Sequence, residues 1–239
     1  FQDNNRPELN TGRATFHVTH VMNANAIYEL PFGRDRKWLN GGGLTDRLVG
    51  GWQLGSIIAW QSGSPVSIVS GRGTFNRIGR SECGTPIGCN TAVTNLSVSQ
   101  VQDLFGIYKL PDGRIFFIDP KVIDPATGRA VGADNLGNTA GFPGQVFFNP
   151  RAGEVGNLPI LAFNGPSVFR MDLALSKKTR ITGRYNIELK GEAFNLTNTP
   201  NFFAADQNIN STTFGRLTSV NTSGGINSRV IQLSARLNF

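Results

Sequence analysis

From Ile231 to Phe239 apolar and polar side chains alternate without interruption. Ile231, Leu233, Ala235, Leu237 and Phe239 fall on one face of an extended strand, and Gln232, Ser234, Arg236 and Asn238 on the other. The same period of two recurs in four earlier stretches. Over 14–30, Phe16, Val18, His20, Met22, Ala24, Ala26, Tyr28 and Leu30 share a face opposite His17, Thr19, Asn23, Asn25 and Glu29. Over 47–63, Trp52, Leu54, Ile58 and Trp60 stand together against Gln53, Gly55 and Gln61, with Ile57 as an exception. Over 167–178, Phe169, Met171, Leu173 and Leu175 alternate with Arg170, Asp172, Ala174 and Ser176. Over 183–197, Tyr185, Ile187, Leu189 and Ala193 alternate with Arg184, Asn186, Glu188, Lys190 and Glu192. The pattern predicts an all-β chain of five antiparallel strands at 14–30, 47–63, 167–178, 183–197 and 228–239.

Between the second and third strands lies 64–166, rich in Gly, Pro, Asn and Thr. Within it 104–120 reads as a hairpin turning at Pro111, Asp112 and Gly113. A long connection with its own hairpin is unusual inside a compact domain but ordinary on the outer side of a membrane barrel.

Composition sharpens this picture. Charged residues make up 16% of 239, against roughly 25% in ordinary soluble domains. Mean hydropathy is −0.17, and no run approaches the ~20 apolar residues of a membrane helix. Low charge with abundant neutral polar residues fits a transmembrane β-barrel, whose two faces average out. It fits a secreted sandwich equally.

The net charge of +7 invites a nucleic-acid partner. The basic residues instead cluster in short connections, 33–38 and 176–184, with no interleaved aromatic platform, so no nucleic-acid binding is expected. Those clusters suit a periplasmic interface where Lys and Arg reach phospholipid headgroups. Cys83 and Cys89 bracket a loop containing Gly84, Pro86 and Gly88, which a disulfide could close in an oxidising compartment.

Connection lengths set a direction. A very short link at 179–182 marks a periplasmic turn, while 64–166 and 198–227 are long and therefore extracellular. The first and last strands then run the same way, with 1–13 outside. No signal peptide precedes Phe1, and an odd count of strands predicts the tail of a larger barrel.

"YELPFGRDRKWLN", "GGWQLGSIIAWQSGSPVSI", "FFNPRAGEVGNL", "FNGPSVFRMDLALSKKTRI", "RYNIELKGEAFNLTNTPNF", "FGRLTS" and "SRVIQLSARLNF" occur in that order. Together they resemble the C-terminal barrel region of Oar-like TonB-dependent outer-membrane receptors, whose N-termini carry a carboxypeptidase-regulatory-like domain. The resemblance runs from about Tyr28 to Phe239 and leaves 71–140 unmatched. It implies an outer-membrane location, lipid and the barrel-assembly machinery as partners, and Phe239 as the assembly signal. It also implies that the plug and TonB box lie N-terminal to this chain, so that the TonB system is reached only through that region.

Candidate chemistry is sparse. His17 and His20 would point to opposite faces of a strand, which argues against joint chelation, and no metal or cofactor is expected. Phosphate-loop, nucleophile-elbow and EF-hand spacings are absent from the sequence. Glu188, Glu192 and Asp172 share a face with Arg170, Arg184, Lys190 and Arg236. This mixed ladder reads as the wall of a lumen rather than a catalytic pair, so no enzyme is expected. Phe16, Tyr28, Trp52, Trp60 and Phe169 are candidates for interfacial aromatic girdles. Four N-x-[ST] matches, at Asn95, Asn195, Asn210 and Asn221, read as chance in a chain of this composition.

The leading expectation is part of a receptor barrel, with ligand contact on 64–166 and a substrate the sequence does not name. The alternatives are a complete small outer-membrane barrel or porin, with more strands drawn from 64–166, and a secreted β-sandwich for adhesion or carbohydrate binding.

Overall fold

The computed structural model describes residues 5–39, 41, 43–71, 90–132, 141–151, 153–183, 185–220 and 228–239. In chain order the strands are β1 (Val21–Glu29), β2 (Trp52–Gln61), β3 (Pro65–Val66), β4 (Val93–Thr94), β5 (Phe105–Lys109), β6 (Ile115–Ile118), β7 (Phe147–Phe148), β8 (Phe163–Asn164), β9 (Val168–Thr182), β10 (Tyr185–Phe194) and β11 (Val230–Asn238). Two short helices, α1 (Gly43–Val49) and α2 (Val98–Asp103), interrupt them. The chain divides into two compact units, residues 1–20, 62–167 and 202–220 in one and 21–61, 168–201 and 221–239 in the other.

The second unit is a five-stranded antiparallel sheet in the order β1-β2-β9-β10-β11. These are the five strands the alternation predicts, and the sheet does not close on itself. The short β9–β10 link and the β1–β2 connection lie at one end, where Glu29 pairs with Gln53 and Trp52 with Lys177. The long connections leave from the other end, after Gln61 and Phe194.

Four strand boundaries differ from expectation, the first being the end of β9, which runs through the expected 179–182 turn to Thr182 in register with β10. Residues 14–20 are not strand, because β2, the partner of β1, ends at Gln61 opposite Val21. Just beyond it the Ser62 hydroxyl accepts the backbone N–H groups of Thr19 and His20, which ends the ladder. Phe16 therefore stands in a turn of the other unit, 85% exposed, rather than on a barrel strand. His17 and His20 also fall in this irregular stretch, so strand alternation does not separate them.

Residues 47–51 form the end of α1 and a turn instead of the start of β2. Gly51 has φ +73°, and a Cβ there would lie 2.3 Å from the Lys178 carbonyl oxygen, so the turn requires glycine. β10 stops at Phe194 because Asn195 adopts φ +48° and its side chain binds the backbone of Thr199 from both sides. Asn195 is fully buried and is no acceptor for a glycan.

The first unit holds the core. Every buried apolar side chain among the described residues belongs to it, including Ile68, Ile118, Phe147, Phe163, Ile209 and Phe214. Its sheets are short pairs, β3–β8, β4–β7 and β5–β6. The hairpin expected over 104–120 is β5–β6, with Gly113 at φ +85° in its turn. Ser97 and Gln100 cap α2 reciprocally. Asparagines replace missing ladders: Asn149 and Asn210 exchange side-chain amide bonds at 3.0 and 2.6 Å, and Asn90 holds the backbone of Glu154 and Gly156. Thus the described residues of 64–166 are packed around a core that 202–220 joins.

Candidate functional site: two faces of the five-stranded sheet

Register assigns every side chain of the sheet to a face. One face carries Met22, Ala24, Ala26 and Tyr28 from β1, and Trp52, Leu54, Ser56, Ile58 and Trp60 from β2. Their partners are Phe169, Met171, Leu173, Leu175 and Lys177 on β9. Ile187, Leu189, Gly191 and Ala193 of β10 continue it, opposite Leu237, Ala235, Leu233 and Ile231 of β11. Toward β11 this face is open: Leu233 is 82% and Ile231 69% exposed.

Aromatic residues sit at its two ends. Trp60 pairs directly with Phe169 and with Met22 at the end of the long connections. Tyr28 and Trp52 stand one diagonal apart at the other end. Four of the five expected girdle residues therefore form two rows, and Phe16 lies off the sheet.

The opposite face is polar. Arg170 Nε donates to both oxygens of Asp172 at 2.9 Å, and Asp172 Oδ1 also accepts the Asn195 N–H at 2.9 Å. Lys190 and Glu192 pair at 2.6 Å. Glu188 is flanked by Lys178 and Arg236 on the neighbouring strands, with no ion pair formed. Six of the seven expected wall residues thus share one face, in pairs along strands rather than across them. Arg184 lies outside the described residues, as do Cys83, Cys89 and Asn221. Phe239 is 93% exposed.

Ile27 and Ile57 lie on the polar face, with Asn25, Asp172, Lys190 and Glu192 around a concavity of about 560 Å³. Ile57 stands out in the sequence as a break in alternation, and Ile27 follows from the same rule. The charged groups around it are paired, Asp172 with Arg170 and Lys190 with Glu192.

Sequence reasoning missed Lys177, which occupies an apolar-face position and is 7% exposed. Its Nζ donates to the carbonyls of Leu48 at 2.7 Å and Gly50 at 2.8 Å, and lies 5.0 Å from the Trp52 ring centroid. The Trp52 Nε1–H donates to the same Leu48 carbonyl at 3.3 Å. Together they satisfy carbonyls at the C-terminal end of α1. Continuing the alternation 169, 171, 173, 175 by one more step is the signal that flags this lysine.

Residues 1–232 match the family described as outer membrane beta barrel domain. No curated protein and no solved structure matches the chain.

Proposed function

The chain belongs to the outer membrane beta barrel domain family and is an outer-membrane protein, and we propose that its sheet is part of the wall of a TonB-dependent receptor. The observation that carries this reading is the uncovered apolar face backed by a charged one. In water such a face would need a second layer, whereas lipid covers it directly. Trp60 lies eight positions after Trp52 on β2, about 26 Å at the usual strand rise. A tilt of about 40° reduces that to about 20 Å, near the ~25 Å band between aromatic girdles.

Strand parity favours a contribution to a larger barrel. Five strands are fewer than the ~8 of the smallest membrane barrels, and open edges are not tolerated in hydrocarbon. β1 and β11 run in the same direction, so antiparallel closure needs an odd number of further strands. In this reading the long connections meet the substrate, and the charged wall lines its path. Lipid and the barrel-assembly machinery are the partners, and Phe239 contributes to recognition by the latter. The parts that couple transport to TonB lie N-terminal to the strands described.

The test uses the natural full-length protein purified from outer membranes. A receptor binds the periplasmic domain of TonB in pull-down and gives no liposome swelling in small sugars. Swelling at porin rates without TonB binding would replace this reading with a small open barrel.

A further inference from the structure

Strand alternation puts Lys178 and Arg180 on the polar face, Lys178 beside Glu188 and Arg180 beside Asn186 in the register of β9 with β10. These two cations do not meet the lipid that the apolar face meets, so headgroup contact does not account for them. They line one cavity of about 490 Å³ with Arg34 and Arg36 of the β1–β2 connection and Arg47 of α1. Three separate elements supply the charge, so the cluster is not a run of like residues along one solvated segment.

The carboxylates nearby leave most of this charge uncompensated. Asp46 also lines the cavity, but its Oδ1 accepts the Arg34 backbone N–H at 2.6 Å. Glu29 pairs with Arg36. Among the described residues Arg34, Arg47, Lys178, Arg180 and Glu188 form no ion pair. Arg180 Nη2 donates to the Gly183 carbonyl at 3.2 Å, a bond to a neutral group. Cations gathered on one pocket raise each other's electrostatic energy, and a multiply charged anion relieves more of that repulsion than a single charge does. Guanidinium forks also match the paired oxygens of phosphate and carboxylate groups.

We propose that this pocket binds a soluble, multiply charged phosphate or carboxylate anion on the polar side of the sheet. The inference rests on the polar face bordering the solute path and adds that the path favours anions at its short-link end. It does not depend on coupling to TonB.

The test is isothermal titration calorimetry of the natural full-length protein in neutral detergent micelles without divalent cations, with inorganic pyrophosphate as the probe. Saturable binding is expected, weakened roughly tenfold or more in Arg34→Gln with Lys178→Gln, the scale of one lost hydrogen bond between charged groups. Arg34→Lys with Lys178→Arg keeps the charge and retains most of the affinity, and Arg114→Gln, on a hairpin of the other unit, binds like the unmodified chain. Absence of saturable binding by the unmodified protein overturns the proposal whatever the variants do. Equal binding by the glutamine variant places the anion elsewhere and overturns it too. Loss of pyrophosphate binding when phosphatidylglycerol is added to the micelles would make a lipid headgroup the occupant, and the soluble anion would fall. None of these variants touches TonB capture, so a failed titration leaves the receptor reading to its own pull-down.

Discussion

The Lys177 Nζ lies 2.7 Å from the carbonyl oxygen of Leu48, tying the middle of the sheet's longest strand to the last turn of α1. A charged donor bonded to helix-end carbonyls contributes about 2 kcal/mol, and its place over Trp52 adds to that. Lys177→Met keeps the stem and removes the donor. We expect loss of amide protection over 43–50 in hydrogen exchange, with β9 and β10 unaffected. Unchanged protection of α1 would mean that the helix is held by other contacts.

Asp172 is the joint of the polar wall, since it accepts from both Arg170 and the backbone of Asn195 where β10 ends. Asp172→Asn removes the carboxylate charge that Arg170 pairs with and weakens the turn at 195–199. The expected loss is about 1–3 kcal/mol in reversible unfolding from vesicles. Replacing both members, as Arg170→Met with Asp172→Leu, should destabilise less than the single change, because no charge is stranded. If the double change is the worse of the two, the pair itself is the stabilising element.

The membrane strands were legible because alternation survives any detail of packing. A one-residue slip would invert every side chain, so Leu233 and Arg236 could only be assigned together. Strand ends were not legible: they depend on single side-chain bonds outside the alternation, to the distant Ser62 beside β1 and between Asn195 and Thr199 after β10. The packed unit was the larger surprise. Its core draws Ile209 and Phe214 from a stretch of Asn, Ser and Thr that reads as loop, and its order rests on single amides such as Asn149 and Asn210 rather than on periodic strands. Six of the seven charged residues expected to share a face do so, but Lys177 was missed because a lysine on an apolar face reads as a strand end.

Asp112 at the tip of the β5–β6 hairpin accepts the Arg114 backbone N–H and pairs with the Arg114 guanidinium, and both hold its carboxyl below the usual range. A depressed carboxylate stabilises its turn above the ordinary pKa and loses that contribution as pH falls through the depressed value. Carbon-detected NMR titration should place Asp112 below the other exposed aspartates, and Arg114→Gln should move it upward. An unshifted midpoint in the unmodified chain would remove the pair from the account of this turn.

Leu233 and Ser234 are neighbours with opposite surroundings, and they give the most direct check on the assignment of faces. Leu233 pairs with Gly191 near the centre of the apolar face, and Ser234 pairs with Lys190 on the polar face. An arginine at the midplane of a lipid-facing strand costs about 2–4 kcal/mol, whereas lumen positions tolerate charge. Leu233→Arg should therefore shift folding into vesicles by about that amount, while Ser234→Arg should fold like the unmodified chain apart from mild repulsion by Lys190. Equal penalties at the two positions would contradict a sheet with lipid on one side only. A penalty at Ser234 alone would mean that the faces are reversed, and the belts of Trp52 and Trp60 would then need another explanation.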